Sequence, residues 1–422
     1  MAGEHAPVKA GTAKKPENFR NMPKKSAEKQ KSKYYSAVSG RYKIVKYVLI
    51  VLLVIYAVAM YAGYHSDITY SSLMFLFRDV STEQSDYSET ITPVAFDEQE
   101  NMAFAVFKSD VAVIGNSELS VYSANGDTDQ SFALGYDEPG VCASEKYLVA
   151  YNIGEAGYSV FNTITRVGYE DADGPVESAD VNDRGEYLLV CRSDETKYEI
   201  CTYDSSLRVN ARYFKNKYVT SAAIGRNDSR VLIASFDPSD GGVTLDVEFY
   251  KAGASEPESS YSAAGIFPVK CGFFDDNSYY VICTDRVLFF NKNGAFIREE
   301  LPETYEITSY AVSGNRLALA GVRDAIGRSS GITLFDSDGN AVLGTDVFGR
   351  VTSLALTNEA IYALSDGTVS AVYPKTPDKP ADGMTAPADS VCVLPYGNGA
   401  VLCRRGGIES VTFTSDDGTV TG

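Results

Sequence analysis

The sequence contains no tryptophan and only two histidines, His5 and His65, both near the N-terminus. From residue 66 onward there is no imidazole. That excludes Ser-His-Asp and Cys-His catalysis from the larger part of the chain, and every histidine-ligated metal site with them. The seven cysteines include no C-x-x-C pair, which argues against a zinc site or a dithiol redox motif. The stretch "GRSSG", Gly327 to Gly331, matches a nucleophile elbow in spelling. Without a histidine to serve as base, it reads as a loop.

Positive charge is scarce outside one segment. Residues 1–46 hold 12 Lys and Arg against 3 acidic residues, whereas residues 47–422 hold 26 against 53. The net charges are +9 and −27, out of −18 for the whole. A phosphate backbone needs a positive surface, so nucleic acid is not an expected partner of the acidic part.

Residues 1–43 read as a basic, disordered tail, rich in Lys, Ala, Ser and Pro and without an apolar period. Residues 44–64 read as a transmembrane helix. Their core, "YVLIVLLVIYAVAMYAGY" from Tyr47 to Tyr64, is 18 residues without a charge. At ~1.5 Å per residue it spans roughly 27 Å, close to a bilayer core. The alternative is a cleaved signal peptide, with "AVA" (Ala57 to Ala59) as cleavage site, but 46 preceding residues exceed an ordinary n-region. The Lys/Arg excess before the span places the N-terminus in the cytoplasm and the acidic part outside. The tail itself could touch anionic headgroups, but a solvated flank that sets topology is the simpler reading. Residues 65–88 form a membrane-proximal segment and linker; "ITYSSLMFLFRDV", Ile68 to Val80, is dense in apolar residues.

Residues 89–422 carry a repeat. "ITLFDSDGNA" has an apolar residue, a spacer, an apolar residue, an aromatic and a polar turn. The same order recurs with aromatics at Tyr122, Phe161, Tyr203, Tyr250, Phe290, Phe335, Tyr373 and Phe413. A period near 40 residues is the mark of propeller blades. A continuous apolar run such as "EYLLVCRS" or "RVLIASFD" precedes most aromatics, as suits a strand packed on both faces. Small-residue strands such as "TSAAIGRND" precede those runs and suit the crowded axis. The fold class is therefore all-β, a propeller with eight blades favoured and seven the alternative. Unit seven, with "YPKTPDKPADGMTAPA", is the least regular. The eighth unit lacks an outer strand, and residues 89–97, "ETITPVAFD", are free to close it.

The turn "DSDGN", from Asp336, resembles the start of a calcium loop. An EF-hand would need glycine at position 6 and an acid at position 12, where Ala341 and Val347 stand. It reads as a hairpin turn. Six cysteines form neighbouring pairs, Cys191/Cys201, Cys271/Cys283 and Cys392/Cys403, each on adjacent strands of one blade; Cys142 has no partner in sequence. Buried thiols are favoured over cross-strand disulfides, which an oxidising exterior would allow.

The anchor, the "ITYSSLMFLFRD" segment and the eight units together resemble a family of membrane-anchored propeller proteins of Gram-positive bacteria whose role is unknown. The resemblance covers roughly residues 41–422 and implies an extracytoplasmic propeller. The architecture is also similar to WD-type and quinoprotein propellers, but the sequence has neither a Trp-Asp dipeptide nor the tryptophans of quinoprotein blades. No catalytic residue, cofactor or metal ligand is expected. The leading function is a non-catalytic scaffold or receptor with a protein partner in the cell envelope. A ligand-sensing propeller for glycan or peptide is the alternative, and a carboxylate hydrolase a weaker one. For that last class the candidates, Asp275 with Asp276 and Asp416 with Asp417, sit in turn-like sequence where aspartate is common anyway.

Overall fold

The computed structural model describes residues 45–54, 56, 90–107, 109–239, 242–376, 381–414 and 420–421. The chain divides into two units, Met1–Ser72 and Leu73–Gly422. In the first, residues 45–54 are helical and their side chains exposed. Among the described residues no helix is long and apolar enough to cross a membrane. Residues 57–64, the rest of the expected span, lie outside the described residues, as do the tail and linker.

The second unit is a propeller of eight four-stranded antiparallel sheets. Blades one to seven occupy residues 103–133, 139–171, 176–215, 218–264, 268–300, 306–348 and 351–385, each with its four strands in sequence order. Blade eight takes its three inner strands from Ser390–Tyr396, Gly399–Arg404 and Gly407–Ser410. Its outer strand is Val94–Ala95, with Val94 opposite Ile408 and Ala95 opposite Gly407. This two-residue strand falls within the stretch expected to close the ring, and it covers an edge that would otherwise be open.

The continuous apolar runs have a simple cause. Side chains alternate along a strand, and each blade has a neighbour on both faces. In blade three, Tyr187, Leu189 and Cys191 pack toward blade two, whereas Leu188 and Val190 pack toward blade four. The core of the described residues accordingly falls into eight clusters, each astride one boundary between consecutive blades, including the boundary of blades eight and one.

The repeated aromatic anchors these boundaries. Tyr122, Phe161, Tyr203, Tyr250, Phe290 and Phe335 each close a third strand and pack toward the preceding blade. At five of them the pairing with the fourth strand shifts by one residue, a bulge that turns the chain. Tyr203 stacks on Tyr187 at 4.6 Å between centroids and 4° between planes. Unit seven departs from the rule: Tyr373 lies beyond its strand and packs toward blade eight, its hydroxyl donating to Asp382 at 2.6 Å. Phe413 is a correction. The repeat spacing puts it at the end of blade eight's third strand, but that strand stops at Ser410. Phe413 instead starts a two-stranded pair with residues 420–421, and its ring still reaches the blade seven–eight boundary, parallel to Tyr362 at 6.4 Å.

One end of the ring is tied by its own turns. Ser144 Oγ donates to Asn182 O, and Asn182 Nδ2 donates to Gly225 O in the next blade. Asp275 N donates to Gly314 O, Arg316 to Thr357 O, and Thr357 Oγ1 to Asn398 O. With Asn227 Nδ2 donating to Asp275 O at 3.3 Å, these bonds link the first hairpins of blades two to eight and leave the opposite end to the longer loops.

Candidate interaction face and central channel

Strands run alternately, so every second-to-third hairpin and every blade-to-blade connection emerges at that opposite end. Around blade six this loop face exposes large apolar side chains. Leu301, Tyr305, Ile326 and Phe348 are 58%, 72%, 74% and 80% accessible. They come from three loops: the connection into blade six, its second hairpin, and its exit. Isolated exposed apolar residues are ordinary, but four on adjacent loops of one blade end are a candidate contact surface.

The loops are held in place by polar contacts. Arg323 bridges the Glu303 carboxylate at 3.3 Å and Asp346 at 2.9 Å, and Arg350 pairs with Glu306 at 2.9 Å. The Asp324 carboxylate accepts from the N–H groups of Ile326 and Arg328 at 3.0 and 3.1 Å. Those backbone donors hold its carboxyl below the usual range. Ile326 thus points outward on a capped turn. A cleft of about 310 Å³ lies between Tyr305, Ile326, Arg350 and Asp366. A second, of about 500 Å³, opens on the same face where blade eight meets blade one, edged by Glu98, Glu100, Asp389 and Arg405.

The ring's axis is lined by first strands. These are small-residue strands, as expected, but they also carry Asp180, Lys270, Tyr310 and Cys142. Asp180 accepts from Ile224 N at 2.9 Å. Burial raises its carboxyl above the usual value, against the opposing pull of Lys270 and the Ile224 amide. Burial disfavours the Lys270 ammonium, but Tyr310, Asp180, Cys271 and Cys142 together outweigh that and hold it at about 12. The two charges act on each other without direct ion-pair contact among the described residues. Burial pushes the Cys142 thiol well up, with Asp180 adding to it. The channel neck therefore offers one cation, one costly carboxylate and a phenol, all half-exposed to the channel.

The sequence-level candidates fall elsewhere. Asp276 accepts from Ser278 N at 2.9 Å and from the hydroxyl of Ser337 in the next blade at 3.0 Å. Burial raises its pKa, but these serine donors outweigh it and the carboxyl sits below its usual range. Asp275 accepts from Asn227 through its carbonyl. Both are turn residues at the tied end, remote from either cleft. Asp416 and Asp417 lie outside the described residues. Of "GRSSG" only Gly327 and Arg328 lie in the expected loop; Ser329 opens blade six's third strand, its hydroxyl donating to Asp324 at 3.4 Å. In "DSDGN" the Asp336 carboxylate accepts from Asp338 N and Asn340 N at 3.0 and 2.8 Å. Asn291 makes the same two bonds with a neutral side chain. The turn therefore needs an acceptor and not a charge.

Sequence reasoning missed one cluster. Asp173, Glu199 and Cys201 bring their ligand atoms within 4.8 Å of one another. The Arg212 guanidinium already pairs with both carboxylates at 2.5 Å, and Cys201 Sγ donates to Glu199 at 3.2 Å. Burial and that carboxylate raise the thiol's pKa, so neither thiolate nor free carboxylate is offered to a metal. Glu199 and Cys201 share one face of blade three's third strand, but Asp173 comes from the loop before the blade, so the sequence spacing does not announce the cluster.

Residues 82–411 match a single family throughout the propeller. The chain belongs to DUF5711, a family of unknown function. No curated protein matches it. Among solved structures it is similar to a computationally designed protein, Ika8, with 14% identity over 75% of this chain and 98% of that one, at a TM-score of 0.58. The C-terminal WD40 domain of Sif2 shares 11% identity over 76% of this chain and 99% of that one, at 0.56. BamB from Moraxella catarrhalis shares 11% over 76% and 96%, at 0.52. At these identities the likeness concerns the propeller fold and not the site.

Proposed function

We propose that this DUF5711 protein is a non-catalytic scaffold or receptor, held in the cell membrane by residues 44–64, that presents its propeller outside the cell to a protein partner. The observation that carries the reading is the loop face of blade six. Four exposed apolar side chains stand on loops fixed by Arg323, Arg350 and Asp324, while the opposite end is consumed by blade-to-blade bonds. A rigid apolar surface with a charged rim is what a protein interface requires. The anchor rests on the uncharged stretch Tyr47–Tyr64 and the basic residues before it. BamB and Sif2 enter only as propellers.

The test is cross-linking in intact cells, followed by purification through the N-terminal region and mass spectrometry. A chain lacking residues 98–422 is the control. A partner recovered with the full chain and absent from the control supports the reading. Loss of nothing on deletion of the propeller, at good cross-linking yield, overturns it. Protease added to intact cells should also remove the propeller; full protection would place it inside and defeat the topology.

A second reading has its own observation. Asp180, Lys270 and Tyr310 at the channel neck would suit a small ligand carrying both charges, such as a short zwitterionic peptide. A saturable rise in melting temperature with such ligands, lost in Lys270→Met, would favour it over the scaffold.

A further inference from the structure

The strand register separates the three cysteine pairs. Cys191 stands opposite Glu199, and Cys201 opposite Leu189. Cys271 stands opposite Val281, and Cys283 opposite Pro268. Both of these pairs are diagonal. Cys392 and Cys403 alone face each other directly, on the first and second strands of blade eight. Directly opposed residues of an antiparallel ladder have Cα atoms about 4.5–5.5 Å apart, inside the range a disulfide accepts, whereas diagonal neighbours at about 7–8 Å fall outside it.

We propose that Cys392 and Cys403 are a disulfide-forming pair that staples the blade closing the ring. The position gives the bond a purpose. Cys403 pairs on its other side with Ile408, and Ile408 pairs with Val94 of the closing strand. A covalent link between the first two strands fixes the platform on which the N-terminal strand docks. Access is graded: Cys392 is half-buried on the channel-lining strand, and Cys403 is fully buried. A small disulfide oxidant such as oxidised glutathione therefore meets Cys392 first. The Cys392 thiolate attacks the oxidant, forming a mixed disulfide and releasing one glutathione thiol. Cys403, having lost its proton, attacks Cys392 Sγ, forming the intramolecular bond and releasing the second glutathione. Two protein thiols are oxidised and one glutathione disulfide is reduced to two thiols. Burial and the neighbouring Cys392 raise the Cys403 thiol's pKa well above its usual value, so the second step is slow, and the finished bond is shielded from reductants.

The experiment uses the full chain, purified reduced, then incubated with oxidised glutathione, denatured, alkylated and digested. The expected product is a Cys392–Cys403 linked peptide, lighter than the two thiol peptides by two hydrogens, with the other five cysteines alkylated. Alkylation of both Cys392 and Cys403 overturns the proposal, as does equal linkage of Cys191 with Cys201 or of Cys271 with Cys283. Oxidation should also raise the melting temperature by roughly 3–5 °C. Cys392→Ser, chosen because this cysteine is only half-buried, should leave the reduced protein's melting temperature nearly unchanged and abolish that rise. A rise that persists in Cys392→Ser overturns the proposal.

Discussion

Ile91 and Ser410, 319 positions apart in the chain, hold each other by two hydrogen bonds. The Ile91 N–H donates to Ser410 Oγ at 2.7 Å, and the Ser410 hydroxyl donates to the Ile91 carbonyl at 3.2 Å. Together with the Val94–Ile408 and Ala95–Gly407 pairings they cover the outer edge of blade eight's third strand. Ser410→Ala should therefore cost about 1–2 kcal/mol, because it strands a backbone donor in a part-buried site. Gly407→Ala should cost more, since a methyl there would press on the Val94 carbonyl, which cannot yield without moving the closing strand. Urea denaturation measures both. Hydrogen exchange should quicken first in 399–410; an even rise across all blades would show that closure is not the weak joint.

The Asp336 turn gives a second prediction. Its carboxylate serves as a hydrogen-bond acceptor, the role Asn291 fills in blade five. Asp336→Asn should be neutral to within about 0.5 kcal/mol, and Asp336→Ala should lose about 1 kcal/mol. Millimolar calcium should not move the melting temperature of the wild type. A calcium-dependent rise that vanishes in Asp336→Asn would restore the ion-site reading.

The channel carboxylate gives a third. The folded pKa of Asp180 is raised above the unfolded 3.8, chiefly by burial. Between those two values the folded state binds the proton that the unfolded state has released, so stability falls as pH rises through that window. At neutral pH the ionised carboxylate is then a standing cost. Asp180→Asn keeps an acceptor for the Ile224 amide and removes the charge. Its melting temperature should exceed that of the wild type at pH 7, and the advantage should shrink as pH falls toward 4. An advantage independent of pH would mean the effect is packing and not ionisation.

Much of the propeller could be read before folding because its signals are local. A run such as Tyr187–Arg192 must be apolar on both faces, and an aromatic such as Tyr203 must fill the boundary with the preceding blade. Both demands recur every blade, so they survive as a period. What depends on pairing did not survive. Phe413 fits the period but sits past the strand's end, because blade eight's third strand is only four residues long. The spacing of Cys191 and Cys201 resembles that of Cys392 and Cys403, yet register makes one diagonal and the other direct. The tight turn between Tyr396 and Gly399 sets that register, since the pairing runs from it to Cys392 and Cys403 without a shift, and turn length decides which residues meet. The loop face was least legible: Ile326 and Phe348 look like any apolar residue in a strand-rich chain until the loops around them are placed.

That face supplies the last prediction. Tyr305, Ile326 and Phe348 lose little solvent contact on folding, so replacing them should not disturb the core. The triple variant Tyr305→Ser, Ile326→Ser, Phe348→Ser should keep the wild-type melting temperature to within a degree or two. If these side chains are interface anchors, each is worth about 1–2 kcal/mol or more in the bound state, and their joint loss should weaken binding at least a hundredfold. The measurement is partner recovery by cross-linking from cells carrying either form at matched abundance. A matched triple change at the tied end, on exposed Val209, Phe296 and Val342, controls for general loss of apolar surface. Loss of the partner with the loop-face variant alone would assign the interface to blade six. Undiminished recovery with it, or equal loss with the control, would move the contact away from this face.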